Sequence, residues 1–317
     1  MTRAARAAGL AATLALTGCA LFTPPFDIQG HRGARGLAPE NTLAGFKRAL
    51  DAGVSTLELD IGVTRDGVVV IHHDESLNPD TTRDARGAWL TAPTPRLFDL
   101  TWLELQAYDV GRLRPGSNYA ARYPAQVGRD GEPIPSLAQL FAWVQAAGHD
   151  RVRFNIETKL TPARPGDTAG AAAMTAALLA VIHAHGMQRR VTIQSFDWRT
   201  LALVQADAPG IPTAYLSAER PGFNTIDRDG LWTAGRKRAD FASVPAMVHA
   251  AGGAIWSPHF EDLTPELLRA AHALGLKVIP WTVNDPADMR RLIAWGVDGI
   301  ISDRPDLLRT ALEQAGH

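Results

Sequence analysis

From Phe26 to the C-terminal region the chain repeats one unit: a short apolar strand, a polar loop, an amphipathic helix, then another strand. The strand candidates are Phe26–Gly30, Thr56–Ile61, Arg153–Lys159, Val191–Phe196, Thr213–Leu216, Ala254–Pro258, Lys277–Val283 and Gly299–Ser302. Alternation of this kind produces a parallel sheet covered by helices. Eight such units over roughly 250 residues predict an α/β fold of the (β/α)8 TIM-barrel type. The alternative is a doubly wound open sheet. It is disfavoured because no strand is followed by G-x-G-x-x-G, and Gly30, Gly33 and Gly36 have the wrong spacing for one. The units are interrupted once, by a Pro-, Gly- and Arg-rich segment at about 76–135, which reads as a lid or binding insertion.

The stretch Thr56 to Asp74 reads as an antiparallel hairpin around Asp66-Gly67. A two-residue loop there pairs Arg65 with Val68 and brings Asp60 opposite His73. Directly opposed residues share a face, as do alternate ones, so Glu58, Asp60 and His73 are expected to project together. A slip of one residue would put His72 opposite Asp60 instead. Glu58 and Asp60 alternate with Leu57, Leu59 and Ile61, so both faces of the strand look enclosed. Carboxylates in an enclosed site need a cation or hydrogen-bond donors.

Functional groups of a barrel gather at the C-terminal ends of its strands. His31-Arg32, Glu58 and Asp60, Glu157 and Lys159, Gln194 and Phe196, Trp281 and Asn284, and Asp303 all fall there. The acids Glu58, Asp60 and Glu157, with no thiol and no H-E-x-x-H, select a hard divalent cation, Mg²⁺ or Ca²⁺. The competing reading of Glu157 is a plain ion pair with Lys159, two residues on. Arg32 and Lys159 beside a cation suit a phosphate. His31 and His73 supply an acid–base pair that works near neutral pH. Phe196 and Trp281 are expected either as an apolar wall for substrate or as core.

The 317 residues carry a formal net charge of −1, which gives no support to nucleic-acid binding. Residues 1–18 read as a signal peptide: Arg3 and Arg6 precede a short apolar run that closes on Leu16-Thr17-Gly18-Cys19. This resembles a bacterial lipobox, and Cys19 is the only cysteine in the chain. The expectation is lipidation at Cys19, a tether over 19–26, and a periplasmic or outer-membrane-anchored lipoprotein that meets the membrane through its lipid alone. An ordinary secretory signal is the alternative.

His31-Arg32-Gly33, Pro39-Glu40-Asn41-Thr42, Glu58-Leu59-Asp60, Thr64-Arg65-Asp66-Gly67, His73-Asp74, Asn155-Ile156-Glu157-Thr158-Lys159, Gln194-Ser195-Phe196, Trp281-Thr282-Val283-Asn284 and Gly299-Ile300-Ile301-Ser302-Asp303 stand in this order. Together they resemble the glycerophosphodiester phosphodiesterases, over Asp27 to about Asp306. The resemblance implies a TIM barrel with an insertion after the second strand, and a divalent metal on Glu58, Asp60 and Glu157. It implies His31 and His73 as acid and base. It implies small-molecule glycerophosphodiester substrates, split to glycerol 3-phosphate and an alcohol. Where that family often has Arg-Thr-Thr after His-Asp, this chain has Thr81-Thr82-Arg83, so the arginine is displaced. Two rivals are a related barrel phospholipase acting on intact phospholipid and a non-catalytic surface-binding lipoprotein.

Overall fold

The computed structural model describes residues 26–226 and 229–316. The lipobox, Cys19 and the signal segment lie outside the described residues. Eight parallel strands follow one another around a barrel: β1 Asp27–Gly30, β2 Thr56–Val63, β3 Arg153–Thr158, β4 Val191–Ser195, β5 Thr213–Ser217, β6 Ile255–Pro258, β7 Lys277–Val278 and β8 Gly299–Ser302. Helices run between them on the outside. Parallel pairing proceeds from β8 through β1, β2, β3, β4, β5 and β6 to β7. The last seam is nearly closed by backbone bonds: Asp298 N–H to Val278 O (3.0 Å), Ile301 N–H to Pro280 O (3.0 Å) and Val283 N–H to Ile301 O (3.0 Å). The seventh strand is therefore shorter than its sequence suggests. Pro280 has no N–H to give a ladder, and the chain leaves extended pairing after Val278.

All eight residues of β2 are buried, as the alternation requires. Pairing of Glu58 with Asn155 and of Asp60 with Glu157 puts the polar residues on one face. They point into the barrel, while Leu57, Leu59, Ile61, Phe154, Ile156 and Ile193 belong to the apolar layer shared with the helices. Side-chain caps fix where the helices begin: Thr42 accepts from Gly45 N–H at 3.0 Å, and Ser136 and Gln139 form a reciprocal capping box.

The hairpin register differs from the expectation by one residue. Ile61 pairs with Ile71, Gly62 with Val70 and Val63 with Val69. The loop holds three residues, not two. Thr64 O accepts from Gly67 N–H at 3.0 Å, and Gly67 sits at φ 83°. Thr64 Oγ1 takes the N–H of Val68 at 2.9 Å. This is a turn closed by a left-handed glycine, the commonest three-residue hairpin. Backbone pairing consequently places His72 opposite Asp60, with His72 N–H on Asp60 O at 3.0 Å. His73 approaches the carboxylates by a different route: the strand stops at Ile71, and beyond it His73 Nε2 meets Lys159 Nζ, the partner of Glu157, at 3.0 Å.

The insertion packs a small core of Leu77, Leu97, Leu105, Val110 and Ile134 against Val70 of the hairpin strand. Its segment 117–127 straps down the loop after β1. Gln126 Nε2 donates to Arg35 O at 2.7 Å, and Val127 N–H to Leu37 O at 3.0 Å. The displaced arginine, Arg83, lies within the insertion and pairs with Asp109 and Asp130.

Gly33 is the tightest point of the loop after β1. Its φ is +86°, and a Cβ there would lie 2.8 Å from the carbonyl carbon of Gly45. Gly33→Ala is expected to destabilise the fold by about 1–3 kcal/mol and to displace His31 and Arg32. Urea unfolding monitored by circular dichroism checks this, with an unchanged midpoint as the contrary result.

Candidate active site

The loop after β1 curls into the barrel mouth under unusual backbone constraint. Arg32 and Asn41 both occupy left-handed conformations, at φ 50° and 54°. Asparagine tolerates this region and arginine adopts it at a cost. The result is that both side chains turn toward β2. Asn41 Nδ2 donates to Asp60 Oδ2 at 2.9 Å, and Arg32 Nε lies 3.5 Å from the same oxygen. Arg32 gives its backbone N–H to Glu58 Oε2 at 2.8 Å and its NH1 to Glu40 at 2.8 Å.

Glu58, Asp60 and Glu157 are all buried, and each offers an oxygen within 4.8 Å of the others. Glu58 has both oxygens engaged, one by the Arg32 N–H and one by Gln194 Nε2 at 2.7 Å. Glu157 accepts from Lys159 Nζ at 2.8 Å, so the ion pair that competes with the metal reading does form. It does not exclude the cluster, because Lys159 also lies 3.8 Å from Asp60 Oδ1. Asp60 Oδ1 is buried and has no hydrogen-bond partner. An ionised oxygen left bare in the interior is costly. Its residue clusters with two further buried carboxylates, which fits a cation held by all three residues.

Electrostatics separate the three acids. Burial raises the pKa of Glu58 well above the ordinary range, and the neighbouring Asp60 charge adds to it. Burial raises Glu157 as well, against the pull of Lys159. Burial opposes ionisation of Asp60 too, but Arg32, Lys159 and the Asn41 amide outweigh it and hold Asp60 charged.

Two imidazoles flank the acids. His31, from the end of β1, sets Nδ1 2.7 Å from Asp303 Oδ1, and its Nε2 lies 4.0 Å from Glu58 Oε2. Arg35 NH2 also stands 3.1 Å from Nδ1, but the shorter contact to the Asp303 carboxylate would be repulsive for a bare lone pair, so Nδ1 carries the hydrogen and Nε2 faces the acids. Arg35 clamps Asp303 through Nε at 2.8 Å and NH2 at 3.1 Å, and Asn284 donates to the same carboxylate at 2.7 Å. Burial is opposed at Asp303 by Arg35 and His31, which keep it ionised. His73 is held by Asp74 Oδ1 at 2.6 Å on Nδ1, and its Nε2 accepts from Lys159 Nζ at 3.0 Å. Burial lowers the pKa of both histidines, with Arg35 reinforcing it at His31 and Arg32 at His73.

Phe196 and Trp281 meet edge to face, their centroids 5.2 Å apart, and Phe223 joins Phe196 at 5.2 Å. Both Phe196 and Trp281 are half-buried, and Lys159 Nζ lies 5.9 Å from the Phe196 ring centre. They form a wall beside the charged cluster.

Sequence reasoning missed Arg35 and Tyr119. Tyr119, on the strap of the insertion, hydrogen-bonds Glu40 and receives Arg35 NH1 at 3.2 Å. Arg35 carried one usable signal, its position four residues after His31. Tyr119 carried none.

A model of the glycerophosphoryl diester phosphodiesterase family matches residues 31–307. The chain belongs to this family. It is a phosphoric diester hydrolase. It is 30% identical to a glycerophosphodiester phosphodiesterase of Caldanaerobacter subterraneus subsp. tengcongensis over 91% of this chain and 98% of that protein. It is 29% identical to one of Bacillus subtilis, over 87% and 83%. A putative glycerophosphoryl diester phosphodiesterase structure from Silicibacter pomeroyi superposes with a TM-score of 0.83 at 39% identity, covering 92% of this chain and 95% of that one. An Oleispira antarctica phosphodiesterase solved with sn-glycerol-3-phosphate has the same fold, with a TM-score of 0.67 at 24% identity, over 90% and 96%.

Because Glu58 and Glu157 are held above their ordinary pKa values without a cation, metal binding is expected to displace protons from them. Affinity then rises as pH rises through neutrality. Titration calorimetry in buffers of different ionisation enthalpy reads this directly. Proton uptake on binding, or affinity that falls with pH, contradicts it.

Proposed function

We propose that this glycerophosphodiester phosphodiesterase divides its chemistry between a divalent cation on Glu58, Asp60 and Glu157 and a proton-transfer pair, His31 and His73. The observation that carries this is the placement of two oriented imidazoles around three buried carboxylates, one with a bare oxygen. A bound cation supplies Lewis-acid polarisation of a phosphoryl oxygen. The all-oxygen donor set, its atoms within 4.8 Å of one another, suits a hard divalent cation, Ca²⁺ or Mg²⁺. Ca²⁺ is the ion we propose, because Mg²⁺ is usually held by only one or two carboxylates with several waters retained.

The chain's own groups do the rest. His31 presents an unprotonated Nε2 and has ionised Asp303 behind Nδ1. It takes the proton from the attacking water as the water oxygen bonds to phosphorus, and Asp303 stabilises the imidazolium that results. An anionic phosphodiester draws the Lys159 ammonium away from His73 Nε2, which favours protonation of that imidazole. His73 then gives its proton to the departing alcohol oxygen as the P–O bond breaks. Lys159 and Arg32 face the phosphoryl oxygens and offset their growing charge. Phe196 and Trp281 pack against the carbon skeleton. The products are glycerol 3-phosphate and the free alcohol.

Cellular placement belongs to the same proposal. Cys19 is read as the lipid-bearing N-terminus of a periplasmic or outer-membrane-anchored protein. Phe26 lies with the starts of several strands at the barrel floor, opposite the active-site mouth. The seven peptide steps from Cys19 to Phe26 span at most about 25 Å. An anchor that short holds the floor toward the leaflet and leaves the mouth open to solvent. This favours soluble glycerophosphodiesters over intact phospholipid. Glycerophosphocholine turnover with no release of choline from phosphatidylcholine vesicles is the expected result, and the reverse preference contradicts it.

His73→Ala and His31→Ala are each expected to reduce kcat by about 10²–10⁴-fold with Ca²⁺ affinity retained. Steady-state kinetics beside calorimetry separate the two effects. Near-normal turnover in either variant refutes its role, and activity that survives exhaustive chelation refutes the cation.

A further inference from the structure

Five side chains form one hydrogen-bonded line through the barrel interior, from floor to mouth. Gln29 Nε2 donates to Asp27 Oδ2 at 3.0 Å. Asn155 Nδ2 donates to Gln29 Oε1 at 2.8 Å and to Gln194 Oε1 at 2.9 Å. Gln194 Nε2 donates to Glu58 Oε1 at 2.7 Å. Gln29, Asn155 and Gln194 are all almost fully buried.

The direction of each bond follows from what stands at the ends. Asp27 accepts at one end, since its carboxylate is paired with Arg153 at 2.7 Å, and Glu58 accepts at the other once a bound cation holds it ionised. Gln194 must therefore turn its NH2 to Glu58 and its carbonyl back toward Asn155. Gln29 must turn its NH2 to Asp27 and its carbonyl forward, again toward Asn155. The two arms arrive at Asn155 as two acceptors, so the residue between them must donate twice. A primary amide does so from one nitrogen. The arrangement leaves its own carbonyl over, and Asn155 Oδ1 is indeed buried without a partner. A side chain that leaves a polar atom bare while satisfying two neighbours is placed for their sake.

We propose that Asn155 is a positioning residue of the hydrolase. By donating to Gln194 it fixes that amide's direction, and so holds Glu58 as the acceptor oxygen pair that a cation requires. This rests on the reading of Glu58, Asp60 and Glu157 as a cation site. Outer partners that orient metal ligands typically alter affinity by about 10–100-fold when lost. The arm through Gln29 leads away from the metal, so it serves the floor and not the site.

Three near-isosteric variants separate these roles: Asn155→Asp, Gln194→Met and Gln29→Met. Asn155→Asp removes both donors. Gln194 then has to turn its NH2 toward the introduced carboxylate and its carbonyl toward Glu58. Ca²⁺ affinity is measured by calorimetry at pH 7.5, and thermal unfolding is followed in EDTA. Asn155→Asp and Gln194→Met are expected to bind Ca²⁺ about 10–100-fold more weakly than the natural chain. Gln29→Met is expected to stay within about threefold of it, although it too loses a buried amide. Normal Ca²⁺ binding by Asn155→Asp overturns the proposal, as does an equal loss in Gln29→Met, which marks a general packing effect. If Asn155→Asp does not fold, the contrast between Gln194→Met and Gln29→Met decides. Failure of the natural chain to bind Ca²⁺ defeats the cation reading itself, and this inference with it.

Discussion

Three carboxylates buried within 4.8 Å of one another are the constraint around which this barrel mouth is built. At an effective dielectric of about 20, two full charges at that separation repel by about 3–4 kcal/mol. Three such pairs do not persist in an interior without positive charge or directed dipoles. The surroundings supply both. The Arg32 backbone N–H and the Gln194 amide hold Glu58, the Asn41 amide holds Asp60, and Lys159 lies against Glu157 and Asp60. The left-handed backbone at Arg32 and Asn41 is a consequence of the same demand. The loop has to bring one N–H, one amide and one guanidinium to the acids from a single short segment.

The barrel also explains how polar groups come to lie inside it. Alternation along β2, β3 and β4 sends apolar residues outward to the helices and polar residues inward. The interior then holds amides and carboxyl groups in hydrogen-bonded pairs, and the stabilising apolar burial lies in the layer between strands and helices. Stability and chemistry thus use opposite faces of the same strands. Substitutions at Leu57 or Ile156 act on folding, and those at Glu58 or Asn155 act on the site.

Much of this was legible in the chain. The strand–helix alternation pointed to the barrel, because period-two and helical patterns switch sharply in this sequence. Glu58, Asp60 and Glu157 were legible because a charged residue on an otherwise apolar strand needs a partner that repays its burial. The hairpin register was not. Asp66-Gly67 suits a two-residue loop, but Thr64 also accepts from Val68 and lets Gly67 close a three-residue loop. His73 was placed near Asp60 for the wrong reason, since it arrives by a bend after the strand and not by pairing. The bracing of His31 was half legible. Asp303 stood at a strand end, whereas its clamp, Arg35, lay in a Gly- and Ala-rich loop without periodicity. Tyr119 was beyond reach because its position depends on how the insertion folds back, and nothing local to residues 117–127 encodes that contact.

The proposed chemistry turns on one cation shared by Glu58, Asp60 and Glu157. The most direct test is a crystal structure of the chain grown with Ca²⁺, with the ion located by its anomalous scattering. A single peak is expected at about 2.3–2.6 Å from an oxygen of each of the three residues, with Asp60 Oδ1 among them and Lys159 moved off Glu157. A cluster without a peak at saturating Ca²⁺, with Lys159 still bonded to Glu157, would contradict it.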